Sequence, residues 1–366
     1  MSPLTTDDPF LAELLERRGT VATAVFAGPG FEGDAQARLD IRTKDLRKLL
    51  EEAGFAPQIV ERAAAAVQEH VGEEALGIVA DAGGILVSPL ADVDEAEEVV
   101  QVDTLPRHVP FLRDRFERRP HVVVRADRTG AQIARVERGE TSRDTEVTGN
   151  EEHISKVNAG GWSQRRFQNR AEHHWDQNAQ EVADAVVRDA DAIDAELIVV
   201  TGDERAVHLV AEHLPERLRD HVVLDDRQPF DDESDDAVFE RATTLLRDRL
   251  GREIVEVLER FGERRGQGDG AADDVADVLA ALRRGAVATL LVSGDESERV
   301  HVSVADPTQV TFGADELADL GIDDVRDARL TDAAVQAALA GGAEVVIVPE
   351  HGPNSPRGPL GAILRY

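Results

Sequence analysis

Apolar residues in the first 115 positions change period repeatedly. An almost unbroken apolar run at Thr20–Ala27 predicts a buried strand, and three- and four-residue spacings predict helices over Asp34–Ala53 and Ala56–Glu69. Short apolar runs at Ala75–Ala80 and Gly84–Ser88 return to strand. From Pro120 a new pattern opens, with strands at His121–Arg125 and Ala131–Glu137 joined by the turn residues Asp127, Arg128, Thr129 and Gly130. Thr141 to Gly161 is polar and reads as a long loop. Beyond it Phe167, Ala171, Trp175, Ala179, Val182 and Val186 form the stripe of a long helix with Ser163 as its N-cap.

The alternation continues with a strand at Glu196–Thr201, a helix near Glu204–His213, a strand at His221–Leu224 and a helix at Ala237–Arg249 behind the acidic run Asp231–Asp236. Gly262–Gly270 has four glycines and no apolar side chain, the composition of a flexible surface loop. After it come a helix at Ala272–Arg283, a strand at Ala286–Ser293, a helix at Asp332–Ala340 and a strand at Glu344–Pro349. The fold class expected is three α/β domains, residues 1–118, 119–261 and 271–366, a division in keeping with the 366-residue length.

Composition narrows the chemistry. Forty-one Lys and Arg against seventy-three Asp and Glu give a net charge of −32, so a nucleic-acid role requires a locally positive patch. Only Lys44, Lys48 and Lys156 are lysines; every other basic side chain is a guanidinium, suited to planar phosphate contacts. The absence of cysteine excludes disulfides, thiolate metal sites and cysteine nucleophiles. Met1–Arg18 lacks the apolar core of a signal peptide and no window approaches a membrane span, so a soluble cytoplasmic protein is expected.

Three sequence patterns carry little chemistry. Gly28–Gly33 satisfies G-x-G-x-x-G after a strand, but Pro29 lacks an amide hydrogen and Glu32 would oppose a pyrophosphate, so a strand-to-helix turn is the better reading. His173 and His174 are adjacent and do not share a helix face, and neither Ser163 nor Ser293 sits in a nucleophile elbow. No metal and no cofactor are expected.

Lys156–Trp175 is different. It carries four basic residues and one acidic one in a chain of the opposite sign. Helical geometry places Arg166, Arg170 and His173 opposite the apolar stripe, where cations can face outward. Gly160 and Gly161 allow close backbone approach, and Trp162 beside Arg165 and Arg166 offers a stacking surface flanked by phosphate-binding groups.

Gly160-Gly161-Trp162-Ser163-Gln164-Arg165-Arg166-Phe167 is similar to the G-G-Q-S-x-x-R-F segment of the archaeal and eukaryotic class-1 release factors. Gly341–Glu350 and Gly361–Tyr366 resemble the end of that family's C-terminal domain. The whole most closely resembles the bacterial branch of the release-factor and Pelota family, which includes Balon-like ribosome hibernation factors. The resemblance implies a non-enzymatic factor in the ribosomal aminoacyl-tRNA (A) site. Its first domain would lie toward the decoding centre, its middle domain would insert the glycine loop at the peptidyl transferase centre, and its third would dock protein, elongation factor Tu included. The site residues expected against ribosomal RNA are Lys156, Gly160, Gly161, Trp162, Ser163, Gln164, Arg165, Arg166 and Arg170, with Lys44, Arg47 and Lys48 in the first domain. A second basic stretch, Arg107, Arg113, Arg115, Arg118 and Arg119, fits the same footprint. The protein is expected to be monomeric off the ribosome.

Two departures shape that expectation. Trp162 stands where the family has the glutamine that helps place water at the peptidyl-tRNA ester, and indole donates one hydrogen bond and accepts none. Losing one such group costs about 100- to 1,000-fold, so hydrolysis should be feeble. The first domain also lacks the Asn-Ile-Lys-Ser tetrapeptide that reads stop codons in this family. The alternative is a peptidyl-tRNA hydrolase or tRNA-cleaving rescue factor in which Gln164 or Arg165 supports attack.

Overall fold

The computed structural model describes residues 8–30, 33–91, 93–127, 129–137, 140–148, 162–225, 235–268, 270–295 and 297–366. The chain mixes helices and sheets throughout and divides into two compact units. One combines residues 1–117 with 253–366; the other is residues 118–252. No helix among the described residues is long and apolar enough to cross a membrane.

The first segment runs α1 (Pro9–Glu16), β1 (Val21–Phe26), α2 (Ala35–Glu52), α3 (Pro57–Gln68), β2 (Ala75–Asp81), β3 (Gly84–Leu90), β4 (Val99–Asp103) and α4 (Val109–Glu117). Its antiparallel sheet has the order β3-β2-β1-β4. The almost continuous apolar run of β1, broken only by Thr23, follows from burial on both faces. Ala22, Ala24 and Phe26 pack with Leu46 and Leu50 of α2 and with Val60 and Ala63 of α3. Val21 and Val25 point the other way, into a core shared with Phe111 and Leu112 of α4. Gly77 in β2 makes room for that core, because a Cβ there would fall 2.4 Å from the Phe111 ring.

The middle unit contains β5 (His121–Ala126), β6 (Gly130–Glu137), β7 (Glu140–Thr148), α5 (Trp162–Ala192), β8 (Leu197–Gly202), α6 (Glu204–His213), α7 (Glu216–Arg219), β9 (Val222–Asp225) and the first turns of α8 (Asp235–Gln267). Its sheet has the order β7-β6-β5-β8-β9, with β5, β8 and β9 parallel and the β6–β7 hairpin antiparallel. Val182 and Val186 of α5 and Val207 and Val210 of α6 cover one face with Val122, Val124, Ile198 and Val200. Val238, Ala242 and Leu246 of α8 cover the other with Val123 and Val199. Part of the expected loop after Thr141 is therefore strand β7. Its Thr and Val residues suit an edge strand, although its charge hides the pattern.

The last segment comprises β10 (Ala271–Ala272), α9 (Val275–Arg283), β11 (Val287–Val292), β12 (Arg299–Ser303), β13 (Val310–Thr311), α10 (Ala314–Asp319), β14 (Val325–Arg329), α11 (Leu330–Ala340), β15 (Glu344–Ile347) and β16 (Leu360–Leu364). It builds a sheet of order β10-β16-β11-β15 and a smaller one of order β13-β12-β14. Val278, Leu279, Leu290, Val300 and Val335 join Val21, Val25, Val79 and Phe111 in one hydrophobic core, so first and last segments fold together.

The expected loop at Gly262–Gly270 is largely helical, because α8 continues to Gln267. Phe261 is fully buried, and the Arg264 and Arg265 side chains donate to the carbonyls of Leu364 and Ser355 at 2.8 and 3.2 Å. Gly262 is small because Asn354 occupies its side-chain space, and a Cβ there would fall only 2.5 Å from it. Gly268 and Gly270, both at φ of +76°, then turn the chain out of the helix.

Candidate functional site

The carboxyl ends of β5 and β8 meet at Ala126 and Gly202, which are paired in register. In open α/β sheets such edges are where function collects. β6 begins and β7 ends at the same edge, since Gly130 pairs with Thr148. On one face of the sheet, Thr201 Oγ1 donates to Asp225 Oδ2 at 3.0 Å, while Arg241 of α8 pairs with Asp225 and reaches Thr201 Oγ1 at 3.2 Å. On the other face stands Trp175 of α5, beside Asp127 at the end of β5 and Arg205 at the start of α6.

Trp175 is not where α5 begins. The helix is 31 residues long, and thirteen of them, residues 162–174, precede Trp175. At 1.5 Å per residue they carry Trp162 roughly 20 Å along the helix axis from the level at which Trp175 meets the sheet edge. Ala179, Val182 and Val186 of the expected stripe are buried against the sheet, and Trp175 is half-buried. The helix starts at Trp162, so Ser163 falls within its first turn instead of capping it, a shift of the size usual for helix ends.

Lys156, Gly160 and Gly161 lie outside the described residues. Trp162, Ser163, Gln164, Arg165, Arg166 and Arg170 all belong to the part of α5 that precedes Trp175. One continuous helix thus joins the residues that resemble the release-factor loop to the sheet.

The basic residues of α2 are differently placed. Lys44 is exposed, whereas Arg47 grips Glu61 through both terminal guanidinium nitrogens, at 2.7 Å for one of them. That hydrogen bond holds the Glu61 carboxyl below the usual carboxylate range. Lys48 lies 4.0 Å from Glu52. Arg42, one residue from Thr43 on the same helix, is buried, donating to the Ala27 carbonyl at 2.9 Å and pairing with Glu98.

Of the second basic stretch, Arg107, Arg115 and Arg119 are buried. Arg115 reaches Asp114 at 2.6 Å and Asp8 at 3.0 Å, Arg119 reaches Glu196 at 3.3 Å, and Arg113 reaches Glu97 at 3.6 Å. Arg107 pairs with Asp295, and its Nε lies 3.7 Å from Asp332. Burial lowers its pKa from the ordinary arginine value, the first of several opposing influences.

Gly28 and Gly30 of the Gly28–Gly33 motif have a structural explanation. A Cβ on Gly28 would fall 2.1 Å from the Glu73 carbonyl oxygen, and Gly30, at φ of +71°, donates its amide to the Gly72 carbonyl at 3.0 Å. They follow a strand whose neighbours are both antiparallel, unlike the parallel dinucleotide-binding arrangement. Among the described residues no cluster of three or more histidine and carboxylate side chains has metal-binding geometry.

Local sequence gives no warning of the contacts α6 makes with α5. Arg205 lies over the Trp175 ring, and His213 Nε2 lies 2.8 Å from Asp176 Oδ1. Asp203 caps α6, accepting from the amides of Arg205 and Ala206.

Comparison with known proteins matches residues 120–267 to bacterial archaeo-eukaryotic release factor family 2. The match starts one residue before β5 and ends with the last residue of α8. An uncharacterized protein of Mycobacterium tuberculosis, Rv2629 in one strain and MT2704 in another, is 29% identical over 359 residues, 96% of this chain and 95% of that protein. Among solved structures, ribosome-bound archaeal Pelota is 15% identical with a TM-score of 0.42, covering 100% of this chain and 95% of that one. Dom34 of S. cerevisiae, a termination-like factor, is 12% identical with a TM-score of 0.42 over 80% and 79% of the two chains. The archaeal termination factor aRF1 is 17% identical with a TM-score of 0.25 over 99% of each.

Proposed function

With the likeness to the release-factor and Pelota family as premise, we propose that this chain is a ribosome-associated translation factor. It fills the A site and carries Gly160–Arg166 to the peptidyl transferase centre, in hibernation or stress protection. The observation that carries this reading is α5. A single helix, seated on the sheet from Trp175 onward, continues for thirteen residues toward the Gly160-Gly161 pair. Such a helix delivers a loop into a narrow space with little loss of direction.

In this reading the factor occupies the cavity and does no chemistry there. Trp162 replaces the amide that organises the hydrolytic water in release factors, and one indole N–H cannot both hold and orient a nucleophile. The last segment docks protein, elongation factor Tu being the partner the resemblance suggests.

Co-sedimentation with 70S particles tests the proposal. Binding by the unaltered chain and its loss in Gly160→Asp and Arg165→Glu are expected. Multiple-turnover release of peptide or nucleotides from loaded tRNA would instead establish the hydrolase.

A further inference from the structure

Trp175 and Asp176 are consecutive on α5, and α6 holds both. The Arg205 guanidinium carbon lies 4.7 Å from the centroid of the Trp175 ring, within cation–π range. The ring of His213, at the other end of α6, reaches Asp176 across 2.8 Å. Between these contacts Ala179 and Val182 of α5 line one small pocket with Ala206, Leu209 and Val210 of α6.

The start of α6 is itself fixed to the sheet. The Asp203 amide donates to the Ala126 carbonyl at 2.9 Å, and the Asp203 side chain caps the helix. Gly202 takes a side chain only at the cost of a backbone shift: its φ is +127°, and a Cβ would fall 2.0 Å from the Ala126 oxygen. Arg205 therefore has a set place relative to β5 and β8. Trp175 in turn stands at the root of a thirteen-residue lever. A tilt of ten degrees at that root moves the far end by roughly 3.5 Å over a 20 Å arm.

We propose that Arg205 and His213 are positioning residues, a clasp that fixes the direction in which residues 162–174 leave the sheet and so where the glycine pair is delivered. The proposal deepens the ribosomal reading and rests on it for its purpose, but the clasp is a property of the free protein. A cation–π contact and an exposed imidazole–carboxylate hydrogen bond together are worth about five- to thirtyfold in a local opening equilibrium.

Full-length Arg205→Ala/His213→Ala is compared with the unaltered chain and with Arg205→Lys/His213→Gln, which keeps a cation and a hydrogen-bond donor. Hydrogen exchange is followed separately in residues 162–178 and 183–192. The chain has two tryptophans, so a Trp162→Phe background isolates the Trp175 emission. Five- to thirtyfold faster exchange confined to 162–178, a red-shifted Trp175 emission and partial recovery in the conservative variant are expected, with 70S affinity falling in parallel. Unchanged exchange and emission, or acceleration spread evenly along α5, overturns the clasp. Should the unaltered chain not bind ribosomes at all, the ribosomal reading falls, while exchange and emission still decide the clasp.

Discussion

The joint between the first and last segments and the root of α5 use the same residue types in opposite ways. At the joint, Asp332 is buried with a carboxylate oxygen 3.5 Å from Arg329 Nε and 3.7 Å from Arg107 Nε, and its other oxygen accepts the His108 backbone amide at 2.9 Å. Around this centre Arg299 bridges to Asp103 at 2.5 and 3.0 Å, Thr104 donates to the Asp327 carbonyl at 2.6 Å, and Gln336 donates to the Leu15 carbonyl at 2.6 Å. At the α5 root, one guanidinium over one ring and one imidazole against one half-exposed carboxylate do the holding. Multiply connected charges around a buried carboxylate hold two segments of chain together and are costly to disrupt; more exposed, pairwise contacts bias a direction and are easily tuned.

The largest test of that contrast is Asp332→Ala. It removes the buried carboxylate between Arg107 and Arg329, leaving them only the more exposed Asp295, and strips the His108 amide of its acceptor, so a loss of about 3–5 kcal/mol is expected in urea unfolding of the unit formed by the two chain ends. A loss below about 1 kcal/mol would place the joint in the same class as the α5 root. Next comes Gly202→Ala, in which the new methyl group meets the Ala126 carbonyl and the backbone is held at positive φ. About 3 kcal/mol of destabilisation, read from the thermal transition of the middle unit, is expected.

The third effect is one of pH. Burial holds the His121 pKa below its ordinary value, outweighing the hydrogen bond that the ring Nδ1–H donates to the Arg119 carbonyl at 2.8 Å. The folded state therefore binds this proton less readily than the unfolded chain. Stability is constant well above pH 6.5 and falls as the pH drops from about 6.5 toward the lowered folded value. His121→Gln should flatten that slope in midpoints measured between pH 7.5 and 5. Smallest is Arg47→Ala, which breaks an exposed, solvent-screened pair with Glu61 and should leave the unfolding midpoint essentially where it is. If Arg47 also meets ribosomal RNA, its loss weakens 70S binding and reduces the salt dependence of that binding while leaving the unfolding midpoint in place.

Much of this architecture is legible in the sequence because both-face burial and helical stripes leave strong patterns. The apolar run of β1 and the Ala179, Val182 and Val186 stripe of α5 are where periodicity puts them. Strand β7 escapes because edge pairing needs little apolar surface. The end of α8 escapes because Gly262 looks like freedom when it is a fit to Asn354, ninety-two positions later. The partners of Arg107 and Arg205 are likewise distant in sequence, and no local rule brings Asp295 or Trp175 to them. The segment resembling the release-factor loop was readable as a motif, whereas the contacts that aim its helix became visible only in three dimensions.

The shared core of Val21, Val25 and Phe111 with Leu279, Leu290 and Val335 has a consequence for biosynthesis. A nascent chain leaves the tunnel amino end first, so one side of the first sheet waits with only α1 and α4 over it while more than 160 intervening residues are translated. The contiguous middle unit can settle in that interval. The newborn protein thus passes through a stage with a finished centre and an open, sticky beginning, the stage at which a chaperone has most to gain.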